Sequence, residues 1–428
     1  MRVSRTQDSP TKVTLTVTAD TADLSPIHRH VLGHFRRNVK VPGFRTGKAP
    51  VELVEKNVNQ QALLDEFMEH ALNELYRQAI SAEKLRPTAT PDVQLKKFVP
   101  YTELQFEIKL DVIGPIKLPN YKAIRQPKPK VSITAKDIDE VIKSLQNRLA
   151  ERVETKRAAK LGDELIIDFA GKDSDGKAIN GTDGKDYPLL LGGNSFIPGF
   201  EDNLIGISSG GSKEFEVAFP KDYGVAAMRQ RKVIFNVQVK KVNELKMPKV
   251  DDELAKKAGP FNTLAELKAD IKKELSAERQ RQADIDHQNE LIRRITEESH
   301  VDLPQNLLDD ELTRLEDEEK RNLAYRGQTW QEHLKEEGVS EQEHRGRYKP
   351  EAQERVKAGL VLSEISELEG LQVTPQELEI RMQLLKNQYQ DPQMRAELDK
   401  PDAARDIQAR LLTEKTIDKL VEYASGSK

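Results

Sequence analysis

Residues 41–50 read VPGFRTGKAP, and whether the Gly-x-x-x-Gly-Lys within them cradles a nucleotide decides how the rest of the chain is read. A phosphate-binding P-loop needs four residues between its glycines and a Ser or Thr after its lysine. Here Phe44, Arg45 and Thr46 alone separate Gly43 from Gly47, and Ala49 and Pro50 follow Lys48. The nucleotide reading fails on spacing and on chemistry, so no ATP dependence is expected. What remains is a Gly- and Pro-bounded loop that pushes a phenylalanine and two cations towards some large surface.

Around this loop no acidic residue lies between Asp23 and Glu52, whereas Arg29, Arg36, Arg37, Lys40, Arg45 and Lys48 do. In a chain of net charge -4 this is a local positive field. Such a field gains affinity for RNA phosphates by releasing counterions, with a steep salt dependence. Phe44 adds an apolar anchor. Charge pattern alone leaves open that these cations merely solvate a helix face and that Phe44 folds back into a core. His30 and His34 share helical i, i+4 spacing, but no HExxH arrangement accompanies them and the chain has no cysteine. They read as polar surface residues, and no metal site is expected.

At 428 residues the chain exceeds one core and suggests about three domains. Charged residues make up 33% and aromatics 5%, and mean hydropathy is -0.67, which suits long exposed helices better than one ball. The lack of cysteine removes disulfides and thiolate metal sites and fits a reducing compartment. The start, MRVSRTQDSPTK, has no apolar signal core, and no run approaches the ~20 apolar residues of a membrane span. A cytoplasmic protein with no membrane partner is the expectation.

Val13, Leu15, Val17 and Ala19 alternate with polar residues, as do Leu104, Phe106, Ile108, Leu110 and Val112; both runs predict half-buried strands. Between them, Ser25-Pro26 reads as a helix start, and Leu63, Phe67, Leu72, Leu75 and Ile80 mark a later amphipathic face. Residues 1–113 are therefore an α+β domain carrying the loop between its helices. Residues 114–155 read as a connector punctuated by Pro115, Pro119, Pro127 and Pro129, then a helix opened by Thr134 and Asp137. Residues 156–246 turn to short strands and Gly/Asp turns, predicting a small antiparallel sheet domain. Residues 247–428 read as helix, with starts at Thr263, Ser340 and Thr374-Pro375. No apolar heptad runs through four repeats, which disfavours a coiled coil.

With these segments in place, GFRTGKAP resembles the ribosome-docking signature of the bacterial trigger factor family, and the following segments come in that family's order. The resemblance implies an α+β ribosome-binding domain, an FKBP-like antiparallel sheet domain and an all-α C-terminal domain with helical arms. It implies that Gly43, Phe44, Arg45, Gly47 and Lys48 meet the large ribosomal subunit, both protein and rRNA, beside the exit tunnel. The arms would shield nascent and unfolded polypeptides, assisting folding and export without ATP or any cofactor. A homodimer of the free chain stays open.

GDELIIDFAG, FIPGFEDNLIG, FPKDYG and VIFNVQVKKV resemble an FKBP-type peptidylprolyl isomerase. Carried over, that family's apolar pocket falls on Phe169, Ile197, Phe200, Tyr223 and Phe235, with Asp168 beside it. Where an aromatic and an acidic residue are usual after the first turn, this chain has Ile179 and Asn180, and Tyr187 stands where Phe is common; these departures bear on efficiency. Two other classes stay open. One is a stand-alone isomerase with partner-binding flanks, and the other is a basic-loop RNA binder whose isomerase fold has lost catalysis.

Overall fold

The computed structural model describes residues 1–45, 47–223, 228–389 and 391–426, and at Asn180 the backbone alone. Thr46 of the loop, Gly224 of FPKDYG and the Asn180 side chain thus lie outside the described residues. The chain divides into two compact units, residues 1–127, 288–330 and 340–428 on one hand, and residues 128–287 with 331–339 on the other.

The first unit opens with β1 (Arg2–Ser9), β2 (Lys12–Asp20), α1 (Thr21–Asn38), α2 (Val51–Asn57), α3 (Gln60–Glu83), β3 (Asp92–Val99) and β4 (Glu103–Asp111). The strands form an antiparallel sheet in the order β1-β2-β4-β3. Strict alternation puts Val13, Leu15 and Val17 of β2 and Leu104, Phe106 and Ile108 of β4 on one face, buried with Phe67, Ala71 and Leu75 of α3. The edge strands β1 and β3 escape a reading by alternation because nearly every side chain on them is exposed.

The start of α1 differs from the expected Ser25-Pro26. Asp20 caps the helix in a box with Asp23, and Pro26 lies inside it. A reciprocal cap satisfies the first-turn donors more completely than a Pro start could. Pro26 then forfeits a single N–H bond within a well-capped helix.

The second unit contains α4 (Ala135–Leu149), capped by Thr134 and Asp137, and a sheet of β5 (Glu151–Thr155), β6 (Glu164–Lys172), β7 (Ala178–Leu190), β8 (Ser212–Ala218) and β9 (Lys232–Lys246). All pairings are antiparallel. Strand β9 is the spine, with β6 along one side and β8 and β5 along successive parts of the other. β5 is too short for its period to show in the sequence. Helix α5 (Asp252–Ala258) and the start of α6 (Leu264–Glu298) bury Leu254, Leu267 and Ile271 against Ile142 of α4.

The remaining elements are all helical: α7 (Gln305–Tyr325), α8 (Trp330–Glu337), α9 (Glu341–Arg347), α10 (Lys349–Leu368), α11 (Pro375–Gln388), α12 (Pro392–Leu398) and α13 (Pro401–Ser425). Capping boxes form at Ser340 with Glu343 and at Thr374 with Glu377. At the start of α6, Thr263 caps Glu266 N–H, while the Glu266 carboxylate reaches back to Asn262 N–H. In the first unit, Tyr121 and Ile124 of the connector pack with Leu291, Ile295, Val361, Ile365 and Leu420. Among the described residues no helix is long and apolar enough to cross a membrane.

Candidate functional site

The 41–50 loop is held by its feet. Val41 and Ala49 are buried in a cluster with Val31, Leu32, Val54 and Leu63, which locks the loop onto α1, α2 and α3. Gly43 (φ 82°) and Gly47 (φ 81°) take left-handed backbone that side chains rarely adopt. A turn closes from Phe44 N–H to Val41 C=O and another from Lys48 N–H to Arg45 C=O. The consequence is projection: Phe44 stays 44% exposed, and Arg45 and Lys48 are exposed beside it. Among the described residues neither cation has an ion-pair partner, and the same is true of Arg36, Arg37 and Lys40 behind them. An apolar ring flanked by unneutralised cations is equipped for a surface that offers both hydrocarbon and phosphate.

In the second unit a cleft of about 400 Å³ opens over the sheet, lined by Phe169, Thr182, Phe196, Ile197, Phe219, Tyr223 and Phe235 among others. Phe169 on β6 and Phe235 on β9 face each other with ring centres 6.4 Å apart. Phe219 meets Tyr223 edge to face at 4.7 Å. Of the five residues expected from the sequence, Phe169, Ile197, Tyr223 and Phe235 line the cleft. Phe200 does not; it is fully buried behind the wall, stacked on Phe196 at 4.3 Å and edge-on to Phe235 at 5.1 Å. Phe196 and Phe219, not among those five, line it too, the first in FIPGFEDNLIG and the second in FPKDYG. Tyr187 stands at the rim, edge-on to Phe169 and Phe196.

Two carboxylates organise this region without entering it. Glu201, buried, accepts from the backbone N–H groups of Gly192 (2.8 Å), Asn194 (3.1 Å) and Ser195 (2.8 Å), and more weakly from Phe196. It thereby fixes the loop that presents Phe196 and Ile197. Asp168 pairs with Lys240 at 2.8 Å and accepts Asp186 N–H; these contacts, Lys240 first, hold its carboxyl below the usual range. It is therefore an ionised structural group and no proton donor. Among the described residues no lining side chain is a carboxylate, a histidine or a cation. Among the described residues three lining side chains carry a hydroxyl, Thr182, Ser195 and Tyr223; that of Thr182 is committed to Ile179 C=O at 2.6 Å, and that of Ser195 lies 3.4 Å from Glu201 Oε1. Binding a twisted, desolvated amide needs no acid–base agent, and an aromatic cleft of this kind is suited to it.

Comparison with known proteins agrees with this geometry. The model for bacterial trigger factor protein matches residues 1–145, that for its C-terminus matches 263–422, and that for FKBP-type peptidyl-prolyl cis-trans isomerase matches 155–240. A trigger factor of Carboxydothermus hydrogenoformans is 30% identical over 429 residues, covering 100% of both chains. The chain belongs to the trigger factor family. Among other relatives, trigger factors of Halothermothrix orenii (31% identical, 99% of each chain) and Caldicellulosiruptor bescii (31%, 82% of this chain and 80% of that one) are similar. A trigger factor chaperone with an FKBP-type prolyl isomerase domain thus accounts for both features: the loop belongs to the family's N-terminal part and the cleft to its isomerase part.

Proposed function

We propose that Gly43, Phe44, Arg45, Gly47 and Lys48 dock this chaperone on the large ribosomal subunit beside the exit tunnel, and that the aromatic cleft isomerises X-Pro bonds of emerging chains in the cytoplasm. The observation that carries the docking half is the loop buried at both feet, whose ring is exposed and whose cations have no ion-pair partner among the described residues. Phe44 meets ribosomal protein, and Arg45 and Lys48 meet rRNA phosphates, giving salt-sensitive affinity.

In the cleft, Phe169, Ile197, Tyr223 and Phe235, supported from behind by Phe200 and joined by Phe196 and Phe219, exclude water from the prolyl amide. Rotation must break amide resonance, a barrier of ~18–20 kcal/mol. The twisted amide has lost that resonance and its carbonyl is less polar, so a dry aromatic wall binds it better than either planar form. Each ~1.4 kcal/mol of this preference speeds exchange tenfold. Client segments are held without ATP on modest apolar patches, such as Ile380 and Leu384 one turn apart on α11, exposed within a polar frame.

Co-sedimentation with bacterial ribosomes tests the docking half. The wild type pellets at low salt, whereas a variant carrying Ala at Phe44, Arg45 and Lys48 stays in the supernatant with its turnover of a prolyl peptide intact. Equal pelleting of the two would remove the loop from the interface.

A further inference from the structure

Helices α1 and α3 bring four ligand-bearing side chains together near the base of the docking loop. α1 supplies His30 and His34, and α3 supplies Glu66 and His70, each pair one helical turn apart. Ligand atoms of His34, Glu66 and His70 all lie within 4.8 Å of one another. His34 Nδ1 is 3.4 Å from Glu66 Oε1. Ring centres are separated by 4.9 Å for His30 and His34, 5.5 Å for His34 and His70, and 5.7 Å for His30 and His70. From these distances we infer that His34, Glu66 and His70, with His30 in reach of a fourth position, form a binding site for a divalent transition-metal ion of the Zn²⁺ class.

The metric argument is direct. With metal–nitrogen bonds of ~2.0–2.1 Å and tetrahedral angles, two ligand atoms on one ion stand about 3.4 Å apart and two imidazole ring centres roughly 5 Å apart. The His34–Glu66 pair already has the first spacing, and the three ring separations bracket the second. Small side-chain rotations close the remainder, because His30 is exposed, His34, Glu66 and His70 are only half-buried, and none of the four is locked in the core. Two imidazoles and a carboxylate suit Zn²⁺, Co²⁺ or Ni²⁺ better than Mg²⁺ or Ca²⁺, which prefer all-oxygen shells. The i, i+4 placement on two packed helices supplies preorganisation that a loop site would lack. An ion there would tie α1 to α3 one turn before α1 ends at Asn38, and so brace the segment from which the docking loop departs.

The test uses the full chain without a histidine tag, stripped with a chelator and titrated with Co²⁺ alone. The readouts are the visible d–d bands of low-coordinate Co²⁺ and calorimetric stoichiometry. The wild type should take up one Co²⁺ with these bands, displaced by added Zn²⁺. His34→Ala with His70→Ala should lose that ion, weakening binding by about tenfold or more. Glu66→Gln, which keeps side-chain volume and so guards against a folding artefact, should weaken it as well. His300→Ala, a surface histidine elsewhere, should bind as the wild type does. Absence of these bands in the wild type, or the same titration curve for the wild type and the His34/His70 variant, would overturn the assignment and leave His34 and Glu66 as a polar contact between the two helices.

Discussion

The Tyr121 hydroxyl donates to Glu369 Oε1 at 2.6 Å, fastening the connector to the end of α10. Tyr423 of α13 donates to the other carboxylate oxygen at 2.7 Å, and Lys122 Nζ lies 2.8 Å from Oε1. Burial pushes the Glu369 carboxyl up, but Lys122 and the two hydroxyls outweigh it and bring it down to about 2. A carboxyl depressed in the folded state adds stability that is present above its ordinary value of 4.5 and is lost as pH falls towards about 2. Glu369→Gln should cost this unit about 2 kcal/mol at pH 7 and flatten its acid sensitivity across that window. Urea unfolding of both proteins from pH 7 to 3 checks this; parallel curves would mean that folding leaves the proton affinity of the Glu369 carboxyl unchanged.

A second pH dependence, of a different kind, belongs to His28. Its ring stacks on Tyr101 at 3.9 Å and meets Phe67 edge-on, and burial lowers its pKa from 6.5 despite Glu55 at 3.5 Å. The unfolded chain then binds the proton more readily, so stability present above pH 6.5 declines as pH falls below it. His28→Phe should remove that slope from the melting temperature between pH 7 and 5. An unchanged slope in the variant would assign it to other groups.

Glu201 carries a prediction about the isomerase that separates positioning from chemistry. Replacing it with Ala frees four backbone donors of the 192–196 segment, so Phe196 and Ile197 lose their fixed presentation. Turnover of a prolyl peptide should fall about tenfold or more while ribosome binding is untouched. Turnover equal to the wild type would show that the segment holds its shape without the carboxylate.

Gly184 tests the cleft from behind. A Cβ there would come within 2.6 Å of Phe169 Cε1, and its backbone needs no left-handed conformation. Gly184→Ala should therefore displace the Phe169 ring and slow turnover without unfolding the sheet. A crystal structure of the variant with an unmoved ring, together with full activity, would refute this.

Legibility in the sequence followed how strongly each residue's position was dictated. Strands β2 and β4 were plain because one face of each is dry, whereas β1 and β3 are wet on both faces and leave no period. The loop was legible because glycines and charges mark it locally. The cleft was legible in outline, but Phe200 and Phe196 are four residues apart, and sequence cannot say which of two aromatics faces the cavity and which backs it. Glu201 was hidden for a related reason: its partners are backbone N–H groups, which no residue identity announces. The histidine cluster needed α3 to be placed against α1 before Glu66 and His70 could join His30 and His34.

Docking through the 41–50 loop is tested most directly by photocrosslinking with ribosomes from single positions carrying a benzophenone side chain. Position 44 should capture large-subunit protein, suppressed as salt rises, and exposed position 96 on β3 little or none. Capture from position 96 with none from position 44 would contradict docking through the 41–50 loop.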